Sequence, residues 1–382
     1  MSCTQDIVIV GAGPSGLALA AELRRLGHSP TVFDRQAEGA NTSRAAVVQA
    51  RTLEALEPLG VVPALLSDGI KVPIFRILDR DNVLAEIDFQ KIDSRYNFTL
   101  MCPQNQMERH LLERLQAMGG AVKRPAEVLG ISASADAAEL SISTGGRVER
   151  METAWLVGCD GASSVVRQQT DIPFEGGAYA QSFVLADVRM EWPFDNEEVS
   201  LFFAPEGLVV VAPLPDNRYR IVATVDDALS DPSVEFFEAL LHRRGPSHCG
   251  RIAQAIWTSR FRVQHRVARS LRKGRVLLCG DAAHVHSPAG GQGMNTGIQD
   301  AVSLARALDA VLRGGGEAGL DEWARSRHAV AKDVVATTDR MTRIATVRSA
   351  AGRSVRNSLI SFFGQLPPLR SAFARNLAEL GH

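Results

Sequence analysis

The stretch Asp6-Ile-Val-Ile-Val-Gly11-Ala-Gly13-Pro-Ser-Gly16 decides the fold of the N-terminal part of this chain. A short run of consecutive apolar residues is typical of a strand buried on both faces of a parallel sheet. The G-x-G-x-x-G loop that follows predicts a tight turn into a helix, an arrangement that suits the pyrophosphate of a dinucleotide. A glycine-rich turn in an ordinary β-α unit is the alternative.

The residues after this loop complete a β-α-β unit. Apolar positions at helical spacing lead to Gly27, which ends the predicted helix, and Thr31-Val-Phe33 reads as the second strand. Asp34 follows that strand, 18 residues after Gly16, where a carboxylate accepts hydrogen bonds from ribose hydroxyls. Arg35 is a candidate to lie over the adenine ring. The predicted cofactor-binding residues here are Gly11, Gly13, Pro14, Ser15, Gly16, Asp34 and Arg35.

A second segment far along the chain points to a flavin. The apolar run Val276 to Cys279 leads to Gly280-Asp281, and a glycine-rich stretch, residues 288–296, precedes a predicted helix from about Thr296 to Leu312. A nicotinamide site needs only the first segment, whereas FAD also has a ribitol chain and a ring system to hold. We therefore predict that both segments converge on FAD, with Asp281 at the ribitol. A helix cap is the alternative role for Asp281.

The helix after Asn295 would direct backbone N–H groups toward the flavin. A helix N-terminus carries partial positive charge, which stabilises negative charge on a reduced ring. The loop residues predicted to bind the cofactor are Gly291, Gly293, Met294 and Asn295. Nearby, His284 is expected to be a hydrogen-bonded structural residue, and neither it nor His286 is expected to bind a metal.

The residue pattern changes in the middle of the chain. Apolar segments separated by turn residues such as Pro215-Asp216-Asn217 predict an antiparallel sheet at 182–189, 199–204, 207–214 and 218–226. Helices are predicted at 42–66 and 106–118. The predicted fold class is α/β, with a Rossmann-like FAD-binding domain interrupted by an antiparallel-sheet substrate domain and followed by helices. The predicted boundaries are 1–72, 98–178 and 266–337 for the FAD-binding domain, 73–97 and 179–265 for the substrate domain, and 338–382 for the C-terminal helical segment.

Composition excludes several classes of protein. The formal net charge of -1 gives no reason to expect nucleic acid as a partner, and five cysteines without C-x-x-C spacing fit reduced thiols. No stretch approaches the ~18 apolar residues of a membrane span, and no secretory signal is expected. These features predict a cytoplasmic protein.

Seven arginines, from Arg340 to Arg375, lie among apolar residues. One interpretation is a set of helices that pack against the flavin domain or against the partner in a homodimer. The other is a basic amphipathic helix on a membrane surface, and the first interpretation is favoured.

The chain resembles a known family at this point. The segments 11–16, Asp34-Arg35, Cys159 to Arg167 and Gly280 to Ala301, in this order, look like those of the class A FAD-dependent aromatic monooxygenases, the para-hydroxybenzoate hydroxylase-like and phenol hydroxylase-like enzymes. The resemblance extends over nearly the whole chain. It implies FAD as the bound cofactor and NAD(P)H as a transient co-substrate, because a second strand-borne dinucleotide fingerprint is missing from the sequence.

The resemblance also assigns roles to single residues. It implies that Arg44 and Gln104 contact FAD, that Pro288 lies beside the reacting face of the flavin, and that Asp160 and Gly161 form a turn touching both FAD and NAD(P)H. The residues placed closest to the reaction are therefore Pro288, Asp160 and Arg44. From local sequence alone, Asp160 is equally well explained as a helix cap.

Two features depart from the family pattern. The chain stops after Asn376 to Gly381, where many relatives continue into a thioredoxin-like domain. Tyrosine is scarce, and the strand at 199–204 offers Phe202 and Phe203 instead, of which at most one can line a cavity because alternate residues face opposite sides. A bulky apolar aromatic substrate fits better than a small ionised phenol.

The predicted function is hydroxylation of an aromatic or polycyclic substrate with NAD(P)H and O2, through a flavin C4a-hydroperoxide. The alternatives are a flavin-dependent reductase or oxidase, or an epoxidase, on the same scaffold. A non-catalytic flavin-binding protein is a further alternative, but the Asp160-Gly161 turn would then have no task.

Overall fold

A computed structural model describes residues 3–39, 45–226 and 232–381 of the chain. The strands in these ranges are β1 Cys3–Val10, β2 Thr31–Phe33, β3 Val47–Val48, β4 Ile70–Val72, β5 Ile74–Asp79, β6 Asn82–Asp88, β7 Thr99–Met101, β8 Val122–Lys123, β9 Ala126–Ala133, β10 Ala138–Thr144, β11 Arg147–Gly158, β12 Phe174–Met190, β13 Glu198–Ala204, β14 Gly207–Leu214, β15 Arg218–Val225, β16 Ile252–Ala268, β17 Arg272–Lys273, β18 Val276–Leu278 and β19 His284–Val285. The helices are α1 Pro14–Arg25, α2 Ala50–Leu56, α3 Val62–Asp68, α4 Gln104–Ala117, α5 Val165–Gln169, α6 Val234–Arg244, α7 Gly293–Leu312, α8 Ala318–Ala345, α9 Ala350–Gly364 and α10 Pro367–Leu377.

The first sheet is the predicted parallel one. Its strand order is β17-β18-β11-β1-β2-β8, and the hairpin of β9 and β10 extends it beside β11. Val10 of β1 lies opposite Gly158 of β11, which in turn lies opposite Leu278 of β18, all in parallel register. The carboxyl ends of these three strands therefore meet at one edge of the sheet, which is where ligands bind in such folds.

The second sheet is the predicted antiparallel one. Its order is β19-β16-β12-β15-β14-β13-β5-β6, and only the pairing of β13 with β5 is parallel among the strands described. The strands β12 and β16 are 17 residues long and pair along most of their length. They run across the predicted domain boundaries at 178/179 and 265/266, and α8 runs across the one at 337/338. The two regions are thus joined by continuous elements.

The predicted helix at 42–66 is wrong. Of this range, the structure describes 45–66, where Val47 and Val48 form β3 and pair with Met101 and Leu100 of β7. The remainder is divided into α2 and α3 by a short turn that ends at Gly60, whose φ is 73°. Pairing with a distant strand overrode the local helical spacing. The strand before Asp281 is also shorter than predicted, because β18 ends at Leu278 and residues Gly280–Ala282 form a 3-10 turn.

The outer faces of α9 and α10 are apolar. Phe362 is 60% exposed and Phe363 is 47% exposed, and further large apolar side chains on these helices and on the link between them are also exposed, namely Val355, Leu359, Leu366, Leu369 and Phe373. Within the parts of the chain that the structure describes, no helix is both long and apolar enough to span a membrane.

A buried polar network fixes the position of α7. Asp300, on α7, is fully buried, and its carboxylate accepts hydrogen bonds from Nε2 of His284, at 2.6 Å, and from Nε of Arg327 on α8. Burial alone would raise the pKa of Asp300, but the Arg327 guanidinium and His284 hold that pKa below its usual value. The expectation that His284 is a hydrogen-bonded structural residue is confirmed.

We predict that Asp300→Asn lowers the free energy of unfolding by about 3–5 kcal/mol, because it leaves the buried Arg327 charge without its counterion. The folded-state pKa of Asp300 lies below its unfolded value, so the stabilisation is present above about pH 4 and is lost as the pH falls. Guanidinium unfolding at pH 7 and pH 3.5 should show a smaller difference between wild type and variant at the lower pH. In the control, Glu322→Gln removes an exposed pair with Arg325 and should change stability by less than about 0.5 kcal/mol.

Candidate active site

The glycines of the N-terminal loop are required by close backbone contacts. Gly11 has a φ of 101°, and a Cβ atom added to it would lie 2.3 Å from the carbonyl oxygen of Cys159. A Cβ atom on Gly16 would lie 2.0 Å from the carbonyl oxygen of Gly11. At Gly13, by contrast, an added Cβ would meet no atom within 4 Å. The loop is therefore closed around Gly11 and Gly16 and open at Gly13, which leaves room for a ligand beside the backbone.

Asp34 lies at the mouth of this loop. Its carboxylate accepts hydrogen bonds from the backbone N–H of Ala12, at 2.7 Å, and of Gln36, at 2.8 Å. The guanidinium of Arg124 donates to the carbonyl oxygen of Ala12 at 3.1 Å, and its Nε is buried without a hydrogen-bond partner among the described residues. Arg35 is exposed. Sequence reasoning missed Arg124, since it directly follows β8 and carries no local pattern of its own.

The two predicted cofactor segments meet at Ser15, next to Pro14 at the start of α1. A Cβ atom added to Gly280 would lie 2.4 Å from Oγ of Ser15, and one added to Gly297 would lie 2.5 Å from it. The Ser15 side chain thus fills the space that both glycines leave empty. Asp281 follows directly on Gly280 and is exposed at this junction. The convergence inferred from the sequence is present in the fold.

A side-chain amide holds the glycine-rich loop in shape. Asn295 is fully buried; its Oδ1 accepts from the N–H of Gln49 at 2.8 Å, and its Nδ2 donates to the carbonyl oxygens of Val47, at 2.9 Å, and Gly291, at 2.8 Å. Gln49 also donates from Nε2 to the carbonyl oxygen of Gly290, at 3.1 Å. Asn295 is therefore a loop organiser, and its partner Gln49 had no sequence signal.

The N-terminus of α7 is open. No side chain caps this helix, which begins at Gly293 with Met294 and Asn295 in its first turn. The side-chain Oε1 of Gln292 is buried without a partner among the described residues, and Pro288 is exposed at the start of the loop. Free N–H groups and the positive end of the helix dipole make this a site for negative charge.

Asp160 serves as a cap and also has an unused oxygen. Its Oδ2 accepts from the N–H groups of Val165, at 2.7 Å, and Val166, at 3.1 Å, so it caps α5 as the local reading allowed. Its Oδ1 is buried with no partner among the described residues, and burial raises the pKa of this carboxyl. Gly161 has a φ of 80° and open space where a Cβ would point.

Arg167 ties this turn to the second cofactor segment. It is buried, donating from Nη1 to the carbonyl oxygen of Ala282 at 2.8 Å and from Nη2 to that of Ala162 at 2.7 Å, while its guanidinium lies 3.8 Å from the ring centre of Phe174. The turn at 160–162 and the turn at 280–282 are thus held side by side.

Of the two further contacts that the resemblance implies, Gln104 and Arg44, one falls within the described residues. Gln104 is the first residue of α4, and its Nε2 donates to Glu108 at 2.8 Å. Glu108 is buried. Arg44, which the resemblance places at the cofactor, lies outside the described residues.

The two candidate substrate residues lie on opposite faces of β13. Phe202 is fully buried and packs against Trp192 and Phe194 in the core beneath α6. Its assignment to the substrate is therefore wrong, because the sheet itself separates it from the glycine-rich loop. Phe203 is 7% exposed on the other face, under the Arg356 guanidinium, whose carbon lies 5.1 Å from the ring centre.

An apolar cluster joins that second face to the cofactor loops. It contains Ala46 and Met101 from the FAD-binding region, Val199 and Ala212 from the antiparallel sheet, and Leu377 from α10. Partly buried side chains at its margin are Val47, Leu201, Val210 and Met341. Val47 also touches the loop, because a Cβ on Gly291 would lie 2.6 Å from its own Cβ. These marginal residues are apolar and partly accessible, and Val47 and Met341 lie beside the loop, which qualifies the four as a candidate substrate wall that sequence reasoning did not identify.

The two histidines near the loop, His284 and His286, have different surroundings. Burial lowers the pKa of His286 to about 4, so its ring is neutral at pH 7. His284 has a carboxylate partner, Asp300, that was not foreseen from the sequence around it. Within the described ranges, no group of three histidine, cysteine or acidic side chains is arranged to hold a metal ion.

The residues at this edge of the sheet fit FAD. The open space at Gly13, the uncapped starts of α1 and α7, and the unpaired Oδ1 of Asp160 are places where a ligand with phosphates, hydroxyls and a developing negative charge would find partners. Asp34 and Asp281 lie beside this space and can accept from sugar hydroxyls.

Comparison with known proteins agrees with this geometry. A family model described as an FAD binding domain matches residues 4–338. The chain is 35% identical over 371 residues to 6-methylpretetramide 4-monooxygenase of Streptomyces rimosus, an alignment that covers 96% of this chain and 66% of that protein. It therefore spans about two thirds of the length of this relative.

Solved structures give the same answer. The anhydrotetracycline hydroxylase from Streptomyces rimosus superposes with a TM-score of 0.84 at 30% identity, covering 100% of this chain and 77% of that one. The p-nitrophenol 4-monooxygenase of Pseudomonas putida DLL-E4 shares the fold, with a TM-score of 0.91 at 24% identity over 100% of this chain and 99% of that one. With its fold, its cofactor loops and these likenesses in agreement, the chain belongs to the FAD-binding domain family of the FAD-dependent aromatic monooxygenases.

Proposed function

We propose that the protein uses FAD, NAD(P)H and O2 to hydroxylate a bulky aromatic substrate. The observation that carries this proposal is the meeting of the loops at Gly13, Asp160 and Asp281 with an apolar cluster from the antiparallel sheet. Relatives named for 6-methylpretetramide and anhydrotetracycline support a polycyclic substrate. The apolar side chains of the substrate wall support it as well, because they offer dispersion contacts and no charge.

The chain's own residues divide the work of binding the cofactor. The backbone at Gly13 and the uncapped start of α1 would hold the pyrophosphate, Asp34 would accept from the ribose, and Asp281 would accept from the ribitol. The start of α7 would stabilise the negative charge that the ring system gains on reduction. The chemistry supplied by bound FAD is acceptance of a hydride from NAD(P)H and reductive activation of O2.

The substrate wall has a different task, which is to hold the substrate. Leu201 and Val210 of the sheet and Met341 of α8 contribute partly buried apolar surface to this cluster, and Cε of Met341 lies 3.6 Å from a Cβ placed on Gly290. Such a wall positions an aromatic ring and excludes water from the site, which prevents loss of activated oxygen as peroxide. Neither a charged side chain nor a metal is needed for this step.

Several finer expectations stay predictions. They are the use of NAD(P)H, the cytoplasmic location, the domain boundaries and a homodimer. For a homodimer, the exposed apolar face of α9 and α10, with Phe362 and Phe363, is the contact we propose.

We expect Asp281→Ala to lose FAD. Removal of a charge-assisted hydrogen bond costs on the order of 1.5–3 kcal/mol, which is about 10- to 150-fold in Kd. Fluorescence titration of the apoprotein with FAD would measure this. Asp136→Ala, in the exposed turn between β9 and β10, is the control and should bind like wild type. Equal affinities for both variants would remove Asp281 from the cofactor site.

Asp160→Asn tests whether the turn at 160–162 takes part in reduction of the flavin. The asparagine keeps an oxygen for the N–H groups of α5 but lacks the negative charge, so FAD should stay bound while NAD(P)H reduces it about tenfold more slowly in stopped-flow measurements, on the assumption that one hydrogen bond of about 1.4 kcal/mol is lost. Ser233→Ala is the matched control, because Ser233 Oγ accepts from Phe236 N–H at 3.3 Å and caps α6, which packs on the antiparallel sheet. If both variants reduce at the same rate, Asp160 is a cap and nothing more.

An aromatic substrate should accelerate NAD(P)H oxidation and receive one oxygen atom from O2. Mass spectrometry after a reaction under 18O2, across a panel of phenols and polycyclic aromatics, would detect the label in the product. Narrowing the wall by Val210→Phe should raise the fraction of NAD(P)H lost as peroxide, because overpacking displaces the substrate ring. Label found only in peroxide and water would instead favour the flavin oxidase or reductase alternative.

A further inference from the structure

The C-terminal turn packs against the cofactor loop, and the proposed reaction gives it no task. We name residues Ala374 to Leu380 the C-terminal clasp. It consists of the end of α10 and a turn in which the N–H groups of Glu379 and Leu380 donate to the carbonyl oxygens of Asn376 and Arg375, both at 3.0 Å. The carbonyl oxygen of Ala378 accepts from the N–H of Arg51 at 3.2 Å, which attaches the clasp to α2.

Leu377 connects the clasp to the glycine-rich loop. This side chain is 2% exposed and belongs to the apolar cluster that joins the sheet to the FAD-binding region. A Cβ atom added to Gly290 would lie 3.1 Å from Cδ2 of Leu377 and 3.6 Å from Cε of Met341. The side chain of Leu377 therefore packs against the loop at Gly290, whose φ is 79°.

Glu379 connects the clasp to the start of α7. Its side chain is buried, and its carboxyl group accepts from Oγ1 of Thr296, at 3.2 Å, and from Nε2 of Gln299. Both partners lie in the first two turns of α7. Glu379 has a φ of 59°, a left-handed conformation that is uncommon for a residue other than glycine. A strained backbone that persists at a buried carboxyl indicates that the surrounding contacts hold it there.

Charged groups on the neighbouring helices act on Glu379 in opposite directions. Arg327 of α8 favours its ionised form and Asp300 of α7 disfavours it. On α2, the guanidinium of Arg51 is 2.9 Å from Glu54 and is thus already paired. Burial is the largest influence and raises the pKa of Glu379 to about 8. The carboxyl is accordingly neutral at pH 7 and ionises in mildly alkaline solution.

A neutral carboxyl at this position has a consequence for the cofactor site. A carboxylate behind the first turns of α7 would offset part of the positive end of the helix dipole, which the site uses to stabilise negative charge on reduced flavin. It would also need hydration, which pulls the clasp out of its buried position. Both effects weaken the binding of reduced flavin at this site.

We propose that Glu379 is a positioning residue for the flavin: through its hydrogen bonds to Thr296 and Gln299, together with Leu377 beneath Gly290, the C-terminal clasp holds the start of α7 and the glycine-rich loop in place, and loss of the Glu379 proton loosens this hold. The inference rests on the proposed FAD site and adds a pH dependence to it. Stability conferred by the clasp is full in acid and is lost as the pH rises through the folded-state pKa of Glu379.

Glu379→Gln tests this, because glutamine has nearly the same shape and is neutral at every pH. In FAD titrations of the apoprotein, the wild-type Kd should rise about five- to tenfold between pH 7 and pH 9.5, whereas the Glu379→Gln Kd should stay within about twofold. The midpoint potential of the bound flavin should fall over the same pH interval more steeply in wild type than in the variant. Glu113→Gln, at a mostly exposed position on α4, is the matched control and should follow wild type.

Glu379→Ala separates positioning from simple packing. It lacks the hydrogen bonds to α7, so its FAD affinity should be low already at pH 7, while Glu379→Gln should restore wild-type affinity there. Parallel pH curves for wild type and Glu379→Gln would overturn the inference while leaving the proposed function intact. Failure of the wild-type protein to bind FAD at any pH would overturn both.

Discussion

The structure depends on one close contact, that of the Ser15 side chain with Gly280 and Gly297. No side chain larger than hydrogen fits at either glycine, since a Cβ there would lie 2.4 Å or 2.5 Å from Oγ. Through this contact the first turn of α1 lies against the 3-10 turn after β18 and against α7. The loops that follow β1, β11 and β18 are thereby brought within reach of one ligand, although they lie far apart in the sequence.

The position of α7 carries this arrangement to the reaction site. Three side chains fix the helix from different directions: Asn295 binds the loop before it, Asp300 binds β19 and α8, and Glu379 binds its first turns from the C-terminal clasp. A helix dipole stabilises developing charge only if the helix does not move away when that charge appears. Rigid attachment at three points provides this condition.

The sequence was informative where chemistry is local and uninformative where it is not. The glycine loop, Asp34 and both sheets followed from apolar runs, turn residues and spacing. The strand at 47–48 could not be predicted, because only its pairing with β7 makes it a strand. Phe202 and Phe203 could be separated only once the fold showed which face of β13 lies toward α6. Gln49, Arg124 and Glu379 act through partners distant in sequence, for which no single-chain pattern exists.

These observations relate the C-terminus to the N-terminal fingerprint. The glycine loop at 11–16, which we propose holds the phosphate half of the cofactor, is fixed by the close backbone contacts of Gly11 and Gly16. The ring half, by contrast, depends on α7 and on a loop that rests on Leu377 and Glu379. A change in the C-terminal clasp therefore alters how the ring is held while the phosphates stay bound. Such a division would let the hold on the reactive end of the cofactor change while the contacts of Gly11 and Gly16 stay fixed.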